Sequence, residues 1–485
     1  MRVMTFRFKL APWTSRLSLA VVAPLVGFSC RFLRTIVLSH FLAPGELGVA
    51  IAITVVIATS ELISDVGLNH VVLVRSGPEA RQFLAAAHML QLVRGFAIST
   101  ILALLCVPIS SLFGIPQLWK SFLVAALIPL IRSFYHLGVY QMQREYDYRP
   151  YALSIGISSL AALCLALLLA LWIPDHRIIL VSLACETFLL VTLSHLLSPI
   201  RYECRASAGT AREVLKYGLP LTANGLALAL ISQADRILVG GTLGVETLAV
   251  YAVVVGLAQT PISPLFEIFG TLGMSMMVRS QASPDKQLTS FAWLMWLFSL
   301  LAFTYAAFVG LTLDLLAPLL YGPHYTVPQT WRVFITVTVF LVTYRGGAPT
   351  VLLLTQGHTA KLAIANATVG LGVLAAALAV RVYPAPEAIL AGKLFGDIIS
   401  IAVFHWAVVS SLKSSWRTVL QCLIFSLFSV GLFSIMISSS PNPTWSTRIS
   451  LSAVCLLPLS LLIWRVYGSW KTRKLAFSGE ALAAR

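Results

Sequence analysis

Charged residues are scarce in this chain of 485 residues. They make up 11% of the sequence, whereas hydrophobic residues make up 58%. A water-soluble protein of this length cannot bury so much apolar surface, so lipid must be the solvent for most of the chain. The composition therefore excludes an ordinary soluble enzyme or binding domain and indicates a membrane protein with many spans.

Signatures of catalysis, metal binding and nucleotide binding are missing. The seven cysteines are scattered without a CxxC pair, so we interpret them as small packing residues rather than metal ligands or disulfide partners. The sequence has no GxxxxGK[ST] phosphate-binding loop, no HExxH and no nucleophile elbow. We expect neither a cofactor nor an enzymatic activity. Energy would come from an ion gradient, with H⁺ or Na⁺ as the candidate ions, or from substrate flow.

Fourteen apolar runs are long enough to cross a hydrocarbon core, which takes roughly 20 residues. They cover residues 17–42, 46–66, 83–108, 119–141, 151–173, 178–198, 217–240, 246–275, 288–319, 331–355, 361–382, 387–411, 417–438 and 449–468. Because a span in lipid must satisfy its own backbone groups, these runs are predicted to be helices. The expected fold is an all-α polytopic membrane protein.

The positive charges of the loops predict the orientation. Fourteen spans place both termini and every second loop on one side, and that side carries 22 Lys and Arg residues against five on the other. Positively charged loops stay in the cytoplasm, so we expect both the N-terminus and the C-terminus to be cytoplasmic. The net charge of +16 is spread over short loops rather than one stripe, which argues against nucleic acid as a partner.

A short segment of the first half reappears in the second half. Residues 36–49 (IVLSHFLAPGELGV) resemble residues 237–250 (ILVGGTLGVETLAV), with four identities at an offset of 201. Two similar hairpins could arise by chance, but both copies fall at the same place in the predicted topology. Internal duplication is common among secondary transporters.

The duplication predicts two six-helix lobes related as a parallel pseudo-repeat, followed by two further helices. The N-terminal lobe would cover residues 1–198, a basic cytoplasmic linker residues 199–216, and the C-terminal lobe residues 217–411. Residues 412–485 would hold the two extra helices and a basic cytoplasmic tail.

Charges within the predicted spans are the candidate functional residues, because each costs about 2.5–3.5 kcal/mol at the centre of a membrane helix. In the first half these are Arg31, Arg34, Arg94 and Arg132, with Glu61 and Glu186 as the acids. Four arginines from three helices would form a cationic cavity for a phosphate or pyrophosphate, which guanidinium groups bind through paired hydrogen bonds. Structural ion pairs with snorkelling side chains are the alternative.

The second half has charges that suggest ion pairs or ion coupling. Lys393 and Asp397 are four residues apart and are expected to pair on one helix face. Asp235 and Arg236 are predicted near the outer end of their span, within reach of headgroups or of each other. The remaining coupling or ion-pair candidates are Glu267 and Arg345. Asp314, like Asp65 in the first half, is expected at the membrane interface.

Three segments resemble a known family. Residues 233–261 (QADRILVGGTLGVETLAVYAVVVGLAQTP) are similar to the "D-R-x-hydrophobic-G-x-x-L-G, then A-x-Y" signature of bacterial polysaccharide repeat-unit (Wzx-like) flippases. Residues 34–49 with 61–68 resemble that family's opening hairpin, and residues 352–374 resemble its loop after span 10, with His358 in place of the more usual arginine. The likeness runs in order from about residue 15 to 410. These flippases belong to the multidrug/oligosaccharidyl-lipid/polysaccharide (MOP) exporter superfamily.

The resemblance implies two lobes that work by alternating access on an oligosaccharide carried by undecaprenyl pyrophosphate, for exopolysaccharide, capsule or O-antigen synthesis. It assigns Asp235 and Arg236 to the family motif and the last two spans to a groove for the polyprenyl tail. Membrane lipids and the polysaccharide polymerase or export machinery are the implied partners. A flippase for the peptidoglycan precursor, a multidrug or cation antiporter and a membrane glycosyltransferase, polymerase or ligase are the alternatives.

Overall fold

A computed structural model of the chain describes residues 13–74, 80–145, 147–280, 283–412, 416–439 and 444–483. Helices are the only regular secondary structure in these ranges, so the prediction of an all-α protein is confirmed. This follows from the apolar composition, because a helix satisfies its own backbone hydrogen bonds in lipid.

The chain divides into two compact units, residues Met1–Leu226 and Ala227–Arg485. The first ten helices are α1 (Trp13–Phe41), α2 (Pro44–Ile63), α3 (Leu68–Val74), α4 (Ala80–Leu104), α5 (Cys106–Leu112), α6 (Trp119–Ala125), α7 (Leu127–Arg132), α8 (Gly138–Arg144), α9 (Arg149–Ala170) and α10 (Arg177–Leu197). Helix α11 (Ala208–Leu243) contains the boundary between the units. The later helices are α12 (Val245–Gln259), α13 (Ile262–Ser280), α14 (Pro284–Tyr321), α15 (Gln329–Gly346), α16 (Ala348–Thr355), α17 (Thr359–Ala367), α18 (Val369–Val382), α19 (Pro386–Leu412), α20 (Trp416–Ser438) and α21 (Trp445–Ala483).

Ten helical stretches of the described chain are long and apolar enough to cross a membrane, which confirms a multi-pass membrane protein. They correspond to ten of the fourteen predicted spans. The predicted spans at 217–240 and 417–438 lie on the long helices α11 and α20, which are not among the ten. The predicted lobe and linker boundaries remain predictions. In the structure, the 199–216 segment is irregular up to Ser207 and helical from Ala208.

Five predicted spans are interrupted in the described structure. The runs at 83–108, 331–355 and 361–382 each break once, at Leu105, Gly347 and Thr368. The apolar run at 119–141 forms the short helices α6, α7 and the first part of α8 instead of one continuous helix. The run at 246–275 is split between α12 and α13, with Pro261 between them. Hydropathy alone could not reveal these breaks, because the broken segments are as apolar as the continuous ones.

Both copies of the repeated segment form a junction between two helices. Helix α1 ends at Phe41 and α2 begins at Pro44, while α11 ends at Leu243 and α12 begins at Val245. Between α11 and α12, Gly244 has a φ of +87°, in the region that favours glycine over side-chain-bearing residues. Each copy therefore joins two helices through a short connection, as the sequence predicts.

In the second unit, α18 and α19 pack with their backbones in contact along a stripe of small residues, here called the glycine seam (Gly372, Ala376, Gly392 and Gly396). A Cβ atom added to Gly392 would lie 2.4 Å from the Ala376 Cα atom, and one added to Gly396 would lie 2.7 Å from the Gly372 Cα atom. Small residues at four-residue spacing allow this approach, as in many membrane helix pairs. The seam fixes the position of α19, which carries the charges described below.

Candidate functional site

Arg34 forms a buried ion pair in the first unit. From α1, its Nη1 atom donates to the Glu186 Oε2 atom on α10 at 2.8 Å and to the Ser182 Oγ atom at 3.2 Å. The other carboxylate oxygen, Oε1, accepts from the Ser159 Oγ atom at 3.2 Å. Charge and hydrogen bonding are both compensated within the helix bundle, so this pair is suited to holding α1 and α10 together.

A second group of charges, here called the Arg94–Arg132 cluster, consists of Glu61, Ser64, Asp65, Arg94 and Arg132. The Arg132 Nη1 atom contacts the Glu61 carboxylate oxygens at 2.9 and 3.2 Å. Arg94 donates to the Ser64 Oγ atom at 3.1 Å and to the Glu61 backbone carbonyl at 3.0 Å, and its Nη1 atom is 3.8 Å from Asp65 Oδ1. Two guanidinium groups therefore converge on the C-terminal turn of α2, where the orphan carbonyls and the helix dipole also favour cations.

Gly95 explains why Arg94 and Arg132 are neighbours. A Cβ atom at Gly95 would lie 2.2 Å from the Ser133 Cβ atom, so only glycine allows α4 to approach the end of α7 this closely. Gln91, one turn earlier on α4, donates to the backbone carbonyls of Ser133 and Tyr135, each at 3.1 Å. These contacts place Arg94, which precedes Gly95, beside Arg132, which precedes Ser133.

The Arg94–Arg132 cluster is open on one side. The Arg132 side chain is 53% exposed, whereas Glu61 is 22% exposed and Arg94 25%. A half-exposed guanidinium has donors left for a second anion, because it presents five N–H groups in a planar fork.

Arg31 is separate from both arrangements. Its side chain is exposed, its Nε atom donates to the Gly27 carbonyl at 3.1 Å, and its guanidinium lies 5.6 Å from the centre of the Phe28 ring. The four arginines predicted to share one cavity are therefore found in three places. Arg94 and Arg132 share a cluster, Arg34 pairs with Glu186, and Arg31 is exposed.

In the second unit, Asp235 is buried at a junction of three helices. Its Oδ2 atom accepts from Lys393 Nζ on α19 at 2.5 Å and from the Tyr251 hydroxyl on α12 at 3.0 Å. Asp235 was predicted to reach either headgroups or Arg236. Its carboxylate is buried inside the protein, and its Oδ1 atom accepts from the Arg236 backbone N–H at 2.9 Å. A small cleft bounded by Asp235, Lys393 and apolar residues such as Ile231, Leu238 and Ile389 lies against the glycine seam.

Asp397 pairs with Arg345 rather than with Lys393. The Arg345 Nη1 atom lies 3.3 Å from Asp397 Oδ1 and donates to the Ser400 Oγ atom at 3.0 Å. The predicted pairing of Lys393 with Asp397 was wrong. Lys393 contacts Asp235 on α11, whereas Asp397 contacts Arg345 on α15. Both pairs are buried, and the Asp397 Oδ2 atom has no hydrogen-bond partner among the described residues.

Arg236 and Glu267 are the two remaining candidates of the second unit. Arg236 contacts the Gln233 side chain at 3.4 Å, and its backbone N–H donates to the Asp235 carboxylate at 2.9 Å. Glu267 lies on α13, and its side chain is outside the described part of the structure.

The sequence reasoning missed the partners of Asp314. This residue was expected at the membrane interface, but its carboxylate accepts from Arg332 at 2.8 Å and from Arg448 at 2.7 and 3.0 Å. The two arginines reach this carboxylate from α15 and α21. Only the folded chain brings α14, α15 and α21 together at this carboxylate.

A further polar group that the sequence did not reveal lies in the first unit. His176 precedes α10, and its Nδ1 atom is 2.8 Å from the Glu46 Oε2 atom on α2. Its Nε2 atom is 2.8 Å from the Ser121 Oγ atom on α6. Within the described ranges, no group of three or more His, Cys, Asp or Glu residues has the arrangement of a metal site.

These observations define the class of the protein. It is an all-helical, multi-pass membrane protein with ion pairs in its helical interior, and its fold is that of MOP superfamily transporters. It is similar to a multidrug resistance MATE family transporter of that superfamily in an inward-facing conformation, with a TM-score of 0.64, 16% identity and coverage of 83% of this chain and 99% of the other. It is also similar to the lipid II flippase MurJ in an inward closed conformation, with a TM-score of 0.65, 12% identity and coverage of 94% and 99%.

A third structural match is a MOP superfamily transporter from Pyrococcus furiosus whose binding pocket is described as having reversed polarity. Its TM-score is 0.54, with 15% identity and coverage of 83% and 97%. At these identities the matches establish the fold alone. A search of curated proteins finds no match to the sequence.

The family is established by the sequence itself. Residues 37–328, more than half of the chain, match the model of the family described as "Polysaccharide biosynthesis protein". The chain belongs to this polysaccharide biosynthesis family. The expected resemblance to polysaccharide flippases of the MOP superfamily is thereby confirmed at the level of family and fold.

Proposed function

We propose that this protein flips undecaprenyl-pyrophosphate-linked oligosaccharide repeat units across the bacterial inner membrane, for exopolysaccharide, capsule or O-antigen synthesis. The observation that carries the proposal is a polysaccharide biosynthesis sequence on a MOP transporter fold. Lipid-linked sugars are assembled as amphiphiles whose charged headgroup cannot cross the hydrocarbon core unaided, since burying an unpaired charge costs many kcal/mol. A transporter in this family supplies the polar path, and alternating access moves the headgroup along it.

The Arg94–Arg132 cluster is the proposed contact for the pyrophosphate. Arg132 is the most exposed of its charged members, and its carboxylate partner Glu61 occupies the position that a phosphate oxygen would take. Because phosphate and carboxylate bind guanidinium in the same planar geometry, the substrate can replace Glu61 on Arg132. Arg94 stays in place through its bonds to Ser64 and to the α2 backbone. Release follows when Glu61 returns.

The other two arginines of the first unit receive different roles. Arg31 is exposed and has no tight carboxylate partner in the described structure, so it is a second contact for an anionic headgroup. Arg34 is saturated by Glu186 and Ser182, and its role is to hold the helices.

The proposed site for the lipid tail is the surface of α20 and α21. Large apolar side chains are exposed along both helices, among them Ile424, Phe428, Ile435, Leu456 and Trp464. In a membrane these side chains face acyl chains, and a polyprenyl tail would contact them without leaving the lipid phase.

The buried pairs of the second unit are the proposed place for coupling to H⁺ or Na⁺. Asp235 with Lys393 and Asp397 with Arg345 balance two negative charges with two positive ones inside the protein. A proton or cation that reaches either carboxylate competes with the basic partner and weakens the contact between helices. The polysaccharide polymerase and export machinery are the proposed partners that receive the flipped repeat unit.

Two alternatives use the same fold. A multidrug antiporter would need an acidic, aromatic site for cations, and the half-exposed arginine of the Arg94–Arg132 cluster argues against it. A flippase for the peptidoglycan precursor would also bind pyrophosphate, so only the headgroup sugars distinguish it from the leading proposal.

The proposal is tested by measuring which leaflet holds the lipid-linked oligosaccharides in cells depleted of the protein. We expect finished repeat units to accumulate on the cytoplasmic leaflet and surface polysaccharide to disappear. Complementation with Arg132→Gln should fail, whereas Arg81→Gln, which removes an exposed Arg–Glu pair at 3.1 Å in the same unit, should restore the polymer. Unpolymerised units on the outer leaflet, or normal polymer with altered drug sensitivity, would refute the flippase.

A further inference from the structure

Three helix ends of the first unit meet at a hydrogen-bonded chain of Glu46, His176 and Ser121. Glu46 is in the first turn of α2, Ser121 is in α6, and His176 caps the start of α10. The Glu46 Oε2 atom accepts from the His176 backbone N–H at 2.9 Å and lies 2.8 Å from the Nδ1 atom of the same residue. By the charge distribution of the loops, all three ends lie on the outer side of the membrane.

The hydrogen bonds of His176 can be satisfied in either protonation state. A carboxylate only accepts, so Nδ1 carries a hydrogen and the neutral ring accepts from the Ser121 hydroxyl at Nε2. If Nε2 gains a proton, it donates to the same Ser121 oxygen, which has lone pairs available. No partner is lost on protonation, and the positive ring stays against the Glu46 carboxylate.

The solvent exposure of Glu46 and His176 differs in a way that suits a proton entering from water. The His176 side chain is 6% exposed, whereas the Glu46 side chain is 37% exposed. An outer proton therefore reaches the carboxylate first and the imidazole behind it. A proton on the buried ring stays in contact with the Glu46 carboxylate through Nδ1.

The other charged groups near His176 do not cancel the attraction between a protonated His176 ring and the Glu46 carboxylate. On α6, Lys120 lies over the Trp119 ring, and beside His176 the residues Asp175 and Arg177 pair with each other at 3.6 Å. On α2 the charged group is Glu46 itself, and on α1 the exposed His40 lies in the last turn. The positive end of the α10 dipole favours the Glu46 anion and disfavours a His176 imidazolium. The Glu46 carboxylate beside the ring favours the imidazolium.

We propose that Glu46, Ser121 and His176 form a proton-binding site that links the outer pH to the packing of the outer ends of α2, α6 and α10. With a proton bound, the site is a neutral ion pair and tolerates burial. Without it, a single negative charge remains on Glu46 and favours hydration of these ends. Acidic outer medium thus closes this end of the first unit, and alkaline medium loosens it. The inference concerns proton binding alone and holds whatever the cargo.

The test is histidine NMR on the full chain in lipid nanodiscs, with ¹³C-labelled histidine and the His176 signal assigned by its loss in His176→Gln. We expect the His176 ring signal to change as the medium is acidified, and Glu46→Gln to move the midpoint of that change to lower pH, because the neighbouring carboxylate stabilises the protonated ring. Asp175→Asn is the matched control, since it removes a neighbouring carboxylate that pairs with Arg177 instead. Its midpoint should change by less than half as much.

Hydrogen exchange gives a second readout that does not depend on a spectral assignment. After correction for intrinsic rates, amides of residues 173–178 should exchange several times more slowly at pH 5.5 than at pH 8. Glu46→Gln should remove this difference. A His176 ring that stays neutral from pH 4 to 9, or loop exchange without pH dependence in the unmodified protein, would mean that the three residues only cap α10 and would overturn the proposal.

Discussion

Glu61 and Arg132 form the shorter of the two carboxylate–arginine contacts in the Arg94–Arg132 cluster. One guanidinium nitrogen of Arg132 contacts both carboxylate oxygens, at 2.9 and 3.2 Å, and half of the arginine side chain is exposed. The carboxylate therefore neutralises the arginine without enclosing it. An anionic substrate has to compete with Glu61 for Arg132, and the strength of this internal contact limits how tightly the substrate binds.

Glu61→Gln should therefore strengthen binding of an anionic lipid. The amide keeps the shape of the side chain but removes the competing charge, and a partly exposed ion pair contributes about 1 kcal/mol or less. We expect a two- to fivefold lower Kd for a short-chain polyprenyl pyrophosphate, measured by titration of the purified protein in detergent. Flipping by this variant should be slower, because release loses its counter-ion.

Arg132→Gln and Glu186→Gln separate this effect from general damage. Arg132→Gln should weaken binding, and adding it to Glu61→Gln should abolish the gain. Glu186→Gln breaks the buried pair with Arg34, so it should lower stability without tightening the ligand. Equal affinity of the wild type and Glu61→Gln would show that Glu61 does not compete with the ligand.

Lys393→Met should destabilise the second unit strongly. It leaves Asp235 buried with only the Tyr251 hydroxyl and a backbone N–H as donors, and removing one partner of a buried pair costs about 3–5 kcal/mol. The double variant Asp235→Asn/Lys393→Met should recover part of this loss, since no unpaired charge remains. Apparent Tm in detergent measures both. Lys361→Met, which removes a lysine bonded to two serine hydroxyls, should change Tm little.

Gly392→Ala should separate α18 from α19. The new methyl group would lie 2.4 Å from the Ala376 backbone, which cannot move aside as a flexible side chain could. Overpacking of this kind costs about 1–3 kcal/mol or more. Gly370→Ala is the matched control on α18, because nothing lies within 4 Å of its added Cβ atom, and it should be neutral or slightly stabilising. Comparable Tm values for the two variants would contradict the tight contact at the seam.

Hydrophobicity predicted the fold class well because lipid imposes one rule on every span. Apolar length alone located the helices at 151–173, 178–198 and 387–411 within a few residues of α9, α10 and α19. It failed at 119–141, where the chain is equally apolar but breaks into short helices. Whether such a run is continuous depends on the neighbouring helices, and the sequence of one segment does not contain that information.

Sequence also showed which buried charges matter, but not which of them pair. Lys393 and Asp397 have the spacing of a pair on one helix, yet Lys393 contacts a carboxylate 158 residues away. Local spacing describes one helix, whereas a buried charge selects its partner from all helices that pack around it. The Glu46–His176–Ser121 chain was missed for the same reason, since its members lie at the ends of three different helices.

Asp314 offers a test of how α21 is attached to α14 and α15. Its carboxylate binds both Arg332 and Arg448, and Arg448 also donates to the Leu311 backbone carbonyl. Asp314→Asn removes the negative charge that both guanidinium groups contact, so we expect a loss of about 3–5 kcal/mol and a lower apparent Tm. Asp285→Asn removes an exposed carboxylate from the first turn of α14 and should cost at most about 1 kcal/mol.

A triple variant, Asp314→Leu/Arg332→Met/Arg448→Met, tests whether the charges are needed for stability. Well-packed apolar side chains of similar volume often replace a buried ionic group without loss, because no desolvation cost remains. The triple variant should therefore be more stable than Asp314→Asn alone. If it is as unstable as the single variant, the contact depends on hydrogen-bond geometry rather than on charge balance. If Asp314→Asn is as stable as Asp285→Asn, the two arginines do not hold α21 through this carboxylate.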